Sequence, residues 1–299
     1  NAVSLYRAQR RGGRGVTGMD TKEEDFVERL FVARTHDYLL FFTDGGKVYW
    51  LKVHEIPQAG RAARGKAMVN LLQMGPEEKI TNTLPVKDFG EDKFIIMATK
   101  KGIVKKTVLS AYSRPRANGI TALTLDSGDE LIRTAITNNE QDILLGTRDG
   151  LAIRFHESQV RPMGRVSRGV KGISLRKGDE VVGMEVVNPA ATLLAVAENG
   201  YGKRTSVSEY HVQSRGGKGV ITIKTTERNG KVVGIWQVTD EDDLMMITRN
   251  GQVIRMRVSG VSVIGRNTQG VKLIGIEKND KVTGIATLAE KEDEEEESG

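Results

Sequence analysis

The chain has 299 residues, of which 38% are hydrophobic and 28% charged, a composition that can bury a core and excludes a disordered polymer. It contains no cysteine, which excludes disulfides and thiolate metal sites, and no apolar run approaches the ~18–20 residues of a membrane span. The formal net charge is +6, but residues 290–299 carry seven acids and one lysine, so the rest of the chain carries +12 and favours a polyanionic partner.

The first predicted element is a loop at residues 9–15, QRRGGRG, in which three arginines stand among three glycines. Glycines let a ligand approach the backbone closely, and guanidinium groups bind phosphate oxygens through paired hydrogen bonds. The start of the chain, NAVSLYRAQRR, lacks the apolar core of a signal peptide. We therefore expect a cytoplasmic protein whose first loop contacts a phosphate backbone.

Five β-hairpins are predicted after this loop, each with an apolar strand, a Gly-containing turn and an alternating second strand. Their turn glycines are spaced by 56, 48, 50 and 51 residues, at Gly46, Gly102, Gly150, Gly200 and Gly251. A glycine also recurs in basic loops with spacings of 50, 54, 50, 50 and 51, at Gly15, Gly65, Gly119, Gly169, Gly219 and Gly270. There are six loops for five hairpins, so the first repeat lacks its hairpin.

Closing strands such as those at 181–187, 232–238 and 282–288 bring each unit to about four strands. Four-stranded units repeated every ~50 residues are typical of a radial ring whose sheet edges stay short. We predict an all-β, six-bladed, propeller-like ring with an incomplete first blade. The predicted repeats are about 1–36, 37–88, 89–139, 140–189, 190–240 and 241–288, followed by an acidic disordered tail at 289–299. Residues 20–33 have a helical pattern, but the repeat alignment favours a closing strand in their second half.

The QRRGGRG loop resembles the gyrase A box, the signature that separates bacterial DNA gyrase A subunits from topoisomerase IV, and it matches over all seven residues. The units over residues 1–288 resemble the β-pinwheel C-terminal domain of that family, and the acidic end resembles the tail that many members carry. The resemblance implies binding and wrapping of double-stranded DNA in a positive sense, without sequence specificity, so that gyrase introduces negative supercoils.

The resemblance also implies partners. These are double-stranded DNA, the N-terminal breakage-reunion core of gyrase A, and gyrase B in a holoenzyme that uses ATP and magnesium on other regions. No cofactor is expected in this domain, and the isolated domain is expected to be a monomer. The tail is either an internal competitor of DNA or a solubilising end, and both interpretations stay open.

Arg or Lys stands beside glycine in every loop, and equivalent positions on successive blades predict a cationic belt along the rim. The predicted DNA-binding residues are Gln9, Arg10, Arg11, Gly12, Gly13, Arg14, Gly15, Arg61, Arg64, Lys66, Arg114, Arg116, Arg165, Arg168, Lys171, Arg215, Lys218 and Arg266. The alternative is that the loops only connect blades and their arginines are solvated. A further set of cations on the hairpins either faces solvent or contacts DNA: Lys105, Lys106, Lys203, Arg204, Arg255 and Arg257.

No catalytic, cofactor or metal site is predicted. Residues 60–67, GRAARGKA, approach the spacing of a nucleotide-binding loop, but Ala67 stands where Ser or Thr should hold magnesium. The four histidines lie far apart without metal-ligand spacing. The strand-cleaving tyrosine of the resembled family belongs to a separate N-terminal region, so no tyrosine here takes that role. Rival interpretations are a protein-interaction β-propeller and the C-terminal domain of topoisomerase IV.

Overall fold

The computed structural model describes residues 36–56, 71–114, 116–277 and 279–288, together with the backbone of two short strands nearer the start. Those two strands are β1 (Ala8–Gln9) and β2 (Val16–Thr17). Strands dominate the described residues, and short 3-10 turns follow the hairpins at Val53–Glu55, Leu109–Tyr112, Glu157–Gln159, Val207–Glu209 and Val258–Gly260. The prediction of an all-β chain is confirmed for these residues.

Each repeat after the first contributes a hairpin, a short strand or loop, and a longer closing strand. The strands are β3 (Tyr38–Thr43), β4 (Lys47–Lys52), β5 (Ile80–Val86), β6 (Phe94–Thr99), β7 (Ile103–Val108), β8 (Ile120–Thr121), β9 (Leu131–Thr137), β10 (Asp142–Thr147), β11 (Leu151–His156), β12 (Val170–Lys171), β13 (Val181–Val186), β14 (Thr192–Ala197), β15 (Tyr201–Ser206), β16 (Val220–Ile221), β17 (Val232–Val238), β18 (Asp243–Thr248), β19 (Gln252–Arg257), β20 (Val271–Lys272) and β21 (Val282–Leu288). The five predicted hairpins are therefore confirmed.

Glycine at the hairpin turns is required by the backbone. Gly150 has φ +84°, and a Cβ built on it would lie 2.1 Å from the carbonyl oxygen of Ile223 in a neighbouring segment. An L side chain would add left-handed strain and a backbone clash at the same point. The turn glycines thus permit both the tight hairpin and the close approach of the next loop.

The sheets exchange strands between repeats. In the sheet of β10 and β11, the closing strand β13 pairs with β10, while the outer strand β16 comes from the following repeat and pairs with β11. The same arrangement holds for β12 on β7, β20 on β15 and β8 on β4. Each of these repeats supplies about four strands, as expected, but its short strand covers the outer edge of the preceding hairpin rather than its own.

The start of the chain supplies the outer strands of the last hairpin, formed by β18 and β19. β1 runs parallel to β19, with Gln9 opposite Met256, and β2 pairs antiparallel with the same strand. The described residues form five sheets rather than the predicted six. The physical reason is that the two described strands near the start are too short to form their own sheet, and they cover the outer edge of β19 instead. Residues 20–33 lie outside the described residues.

The core lies between successive sheets. One cluster joins Ile96 and Val104 of one sheet to Leu145 and Ile153 of the next, all fully buried. The first strands β6, β10 and β14 are buried on both faces, since each packs against two neighbouring sheets, and each such aliphatic side chain contributes ~1.5–3 kcal/mol. The closing strands of all five sheets line one central cavity of about 700 Å³. The sheets thus form a propeller-like ring with the hairpins outside the closing strands.

Among the described residues, no helix has the length and apolar character needed to cross a bilayer.

Candidate nucleic-acid interface

The basic loops lie along the outer strand of the preceding sheet. The backbone N–H of Met163 donates to the Lys106 carbonyl at 2.8 Å, and that of Gln213 donates to the Arg154 carbonyl at 2.7 Å. At Gly219, φ is +74° and a Cβ would lie 2.5 Å from a backbone oxygen of that strand. At Gly219 the recurring loop glycine therefore serves the contact between loop and strand.

Three of the predicted arginines join each loop to the loop before it. The Arg165 Nη1 donates to the Thr121 carbonyl at 3.2 Å, and the Arg266 Nη1 donates to the Ile221 carbonyl at 3.0 Å. Arg215 makes the equivalent hydrogen bond to the carbonyl of Lys171. In every case the acceptor lies two residues after the recurring glycine of the preceding loop. These arginines fix the spacing between successive loops, and each is only partly exposed.

Arg168 is already paired in this structure. Its Nε donates to the Asp126 Oδ1 at 2.5 Å, and its Nη2 donates to Asp126 Oδ2. The hydrogen bond holds the pKa of the Asp126 carboxyl below its usual range and raises the pKa of Arg168. A phosphate would have to displace this carboxylate, so the pair weakens the attraction of the loop for DNA.

The remaining described cations of the predicted site are exposed. Lys171 and Lys218 stand close to the recurring glycine of successive loops, and Arg114 and Arg116 lie in an earlier one. Within residues 71–114 and 116–277, none of these four side chains forms an ion pair. Their charge is therefore available to a polyanion, and they occupy the outer rim of the sheets.

The sequence left open whether the hairpin cations face solvent or contact DNA, and most of them do neither. Lys105, Lys106 and Lys203 are 0% exposed and Arg204 is 5% exposed, so these four neither face solvent nor reach DNA. The reason is that the outer hairpin strand, although alternating in sequence, is covered by the loop of the next repeat. Arg255 is partly buried in an ion pair with Asp243, and only Arg257 is exposed.

A cation at one hairpin position holds the 3-10 turn of the following sheet. Lys106 lies 3.5 Å from the Glu157 carboxylate and also donates to the carbonyl of Glu157 at 2.9 Å. Arg154, at the equivalent position, donates to the Val207 carbonyl at 3.3 Å, and Arg204 donates to that of Val261 at 2.9 Å. Sequence reasoning missed this role. The signal was the recurrence of Lys or Arg four residues after these three turn glycines.

Part of the predicted site lies outside the described residues. This holds for Arg10, Arg11, Gly12, Gly13, Arg14, Gly15, Arg61, Arg64 and Lys66. Gln9 is described only as part of β1, where its backbone pairs with Met256. The strands on either side of residues 10–15 both pair with β19, so the outer edge of the last sheet fixes where the first loop begins and ends.

Metal-ligand clusters do not occur within the described part of the chain, which contains no group of three or more His, Asp or Glu side chains placed to hold a metal ion. The central cavity is lined by Arg133 and Glu185, which lie 3.8 Å apart, and burial raises the pKa of the Glu185 carboxyl. The predicted nucleotide-like sequence at 60–67 is outside the described residues.

Comparison with known proteins gives one consistent family. The family described as the DNA gyrase C-terminal domain, beta-propeller, matches residues 2–34, 37–87, 93–138, 141–188, 191–235 and 242–289. The DNA gyrase A subunit of Clostridium acetobutylicum is 51% identical over 286 residues, which cover 96% of this chain and 34% of that protein. That of Escherichia coli K12 is 49% identical over 293 residues, which cover 98% of this chain and 34% of that protein. The chain thus spans about one third of these relatives.

Solved structures show the same likeness. A structure of a DNA gyrase A C-terminal domain superposes with a TM-score of 0.81 and 25% identity, covering 96% of this chain and 94% of that one. A C-terminal domain of DNA topoisomerase IV superposes with a TM-score of 0.79 and 25% identity, covering 85% of this chain and 80% of that one.

Proposed function

The chain belongs to the DNA gyrase C-terminal domain family, and on that premise we propose that it binds and wraps double-stranded DNA without reading its sequence. The wrap runs in a positive sense around the outer rim, and its role is to let a DNA gyrase introduce negative supercoils. The curated relatives are gyrase A subunits, of which this chain corresponds to about one third.

One observation carries this proposal: exposed cations recur on loops that are joined to one another around the rim. Lys171 and Lys218 lie within two residues of the recurring glycine in successive loops. The guanidinium of Arg215 connects those two loops through the carbonyl of Lys171. A series of positive charges held at a fixed spacing suits the regular phosphate backbone of a duplex and makes no demand on base sequence.

Bending the duplex costs free energy, which the contacts of the rim must offset. Smooth bending of a duplex of 20–30 base pairs by 40–90° costs about 1–6 kcal/mol. Each lysine that neutralises a phosphate releases condensed counterions, and loops on several sheets act together along one duplex. A rigid rim supplies these contacts without reorganisation, because the hydrogen bonds from Arg165, Arg215 and Arg266 already fix the spacing of the loops.

We assign the two kinds of loop cation different tasks. The exposed Lys171, Lys218, Arg114 and Arg116 contact phosphates, and the partly exposed arginines hold the loops in register. The first loop, residues 9–15, is proposed as the main anchor of the wrap, since it has the highest density of arginine in the chain. Both of its flanking strands lie on the last hairpin, where the path around the rim ends.

In the complete protein, we propose that the domain delivers the wrapped segment to the breakage-reunion core of gyrase A, in a holoenzyme with gyrase B. ATP and magnesium act on those other regions, and the domain itself uses no cofactor. The wrapped geometry sets the sign of the crossing that the core then passes.

A salt series combined with a topological assay tests this proposal. The double variant K171A/K218A should reduce the slope of log affinity against log salt by about 0.9 for each phosphate that is no longer neutralised. Lys87 is an exposed lysine directly after the inner strand β5, and K87A serves as the control that keeps the wild-type slope. Closed circular DNA treated with a nicking-closing enzyme in the presence of the wild-type chain should gain positive linking number. Unchanged topology at saturating protein would reject wrapping.

A further inference from the structure

Two buried lysines contact the basic loops from beneath. Lys105 in β7 donates from Nζ to the Ala122 carbonyl at 2.6 Å and to the carbonyl of Arg165. Lys203 in β15 donates to the carbonyls of Gly265 at 2.5 Å and Arg266 at 2.7 Å. Both side chains are 0% exposed. Each ammonium thus lies inside the protein and is hydrogen-bonded to the backbone of the loop that the next repeat lays over its strand.

One acceptor of each lysine belongs to an arginine that joins two loops. The Arg165 carbonyl accepts from Lys105, while the Arg165 guanidinium donates to the preceding loop. The Arg266 carbonyl accepts from Lys203, while its guanidinium also donates to the preceding loop. Each of these two arginines is therefore held both at its backbone and at its side chain. The buried lysine provides the hydrogen bond to the backbone.

The sheet itself does not require an ammonium at this position. Ile153 in β11 and Ile254 in β19 occupy the equivalent place, three residues after the turn glycine, and both are buried. A buried ammonium without a carboxylate partner costs free energy that an isoleucine does not. The observed hydrogen bonds all go to loop carbonyls, so the role of the lysine lies with the loop above it.

We propose that Lys105 and Lys203 are positioning residues for duplex binding, which hold the loops at Arg165 and Arg266 in the binding conformation only while their buried amines are protonated. This inference rests on the proposed function. Because a bound phosphate backbone favours a positive charge beneath the loop, duplex binding should take up protons at these two amines.

The surroundings of the two amines place this coupling near neutral pH. Burial, with a smaller contribution from the charge of Arg165, lowers the pKa of Lys105 to about 7. Burial also lowers the pKa of Lys203 to about 8, with Glu209 opposing the change and Arg266 adding to it. The uncharged hydroxyls of Tyr112 and Tyr210 pack under the same two loops, and burial raises the pKa of both, so neither titrates in this range.

The direction of the pH effect on affinity depends on whether the free chain or the complex holds more protons. In the free chain the amines lose their protons as the pH rises through about 7 and 8. In the complex the phosphates raise both pKa values, so the complex holds more protons in that range and affinity falls as the pH rises. Each unit by which binding raises one pKa corresponds to a tenfold loss of affinity across the titration.

The experiment measures affinity of the full 299-residue chain for a labelled duplex of mixed sequence, by fluorescence anisotropy, from about pH 7 to about pH 9.5 at constant salt. The wild type should lose about tenfold or more in affinity over the range. The variant K105M/K203M should bind more weakly at the low end and show a flatter profile.

Matched variants separate positioning from general packing. I153M alters the equivalent buried position under the loop of residues 213–219 and should keep the wild-type pH profile. K105R restores a permanent positive charge, so it should recover part of the affinity at high pH. In the free wild-type chain, amide hydrogen exchange at residues 164–169 should increase with pH by more than the intrinsic chemical exchange rate does. Exchange at residues 213–219 should increase only as the intrinsic rate does.

The outcomes separate a failure of the positioning role from a failure of the proposed function. The positioning role would be overturned if the wild type bound DNA in a salt-dependent way but with a flat pH profile. It would also be overturned if K105M/K203M and I153M had the same pH profile. Either result would leave DNA wrapping intact. Failure of the wild-type chain to bind duplex at low salt would overturn the proposed function itself. Because the wild-type profile needs no variant, the inference stays testable even if a substitution at a buried lysine prevents folding.

Discussion

Arg215 and Lys218 lie three residues apart in one loop, and the structure gives them different roles. Arg215 donates from Nε to the Gln159 carbonyl at 3.2 Å and from Nη1 to the carbonyl of Lys171, so it ties its loop to two other segments. Lys218 is exposed and has no ion pair within the described residues. We predict that R215M lowers stability while largely sparing the salt slope, and that K218A does the reverse.

The magnitudes follow from these contacts. A hydrogen bond from a charged donor contributes ~1.5–3 kcal/mol when buried, and the partial exposure of Arg215 reduces this. We expect R215M to lower the free energy of unfolding by about 1–2 kcal/mol for its two side-chain hydrogen bonds. Substitution of the exposed Lys218 should change it by less than ~0.5 kcal/mol. Removal of one phosphate contact at Lys218 should reduce the salt slope by about 0.9.

Two measurements on the same samples decide between these roles. Urea unfolding gives the free energy of unfolding for R215M, K218A and the wild type, and duplex titrations over a series of salt concentrations give the slope. A reduction of the slope by R215M equal to that of K218A, with unfolding unchanged, would refute the division between loop-joining and phosphate-binding cations. Arg215 would then be a DNA contact, as its sequence context alone suggests.

Three further outcomes are expected. Replacing the three arginines within residues 9–15 by Ala should abolish supercoiling by the complete gyrase but spare its ATP-dependent relaxation, and wild-type supercoiling by that variant would sink the anchor role. G150A should lower the free energy of unfolding by about 2–4 kcal/mol through left-handed strain and a backbone clash, whereas G164A, whose Cβ meets nothing within 4 Å, should cost little in urea unfolding. Since burial lowers the folded-state pKa of Lys105 to about 7, below its unfolded value, stability should rise with pH above 7, by up to ~1.4 kcal/mol per pH unit relative to K105M in parallel urea titrations.

Local sequence patterns predicted the hairpins, but strand pairing between distant parts of the chain determines how the hairpins assemble into sheets. A turn such as Asn199-Gly200 determines a hairpin within a few residues, because glycine alone takes the required positive φ easily. The outer strands are only two residues long, as in Val170–Lys171, and carry no signal of their own. Their partner is the hairpin of the preceding repeat, which no local pattern identifies. For the same reason, the prediction of six blades with an incomplete first one differs from the five sheets that the described residues form.

The repeat alignment located the basic loops but could not assign tasks within them. Arg165 and Arg168 look alike in sequence, yet one donates to a backbone carbonyl of the preceding loop and the other pairs with Asp126. The difference depends on the neighbouring loop, which is ~44 residues away in the chain and adjacent only in the folded ring. Which of these side chains touch DNA stays a prediction.

The strand exchange and the loop cations serve one mechanical requirement. A surface that bends DNA must resist being bent itself, and five sheets joined only by apolar faces could shift relative to one another. Here swapped outer strands join four pairs of sheets, cations on three hairpins reach the following 3-10 turn, and three arginines join successive loops. On the proposed function, positive charge acts in two ways: buried cations hold the sheets together, and exposed cations on the rim bind DNA. The +12 charge outside the acidic tail overstates the charge available to DNA by the share that is buried or paired.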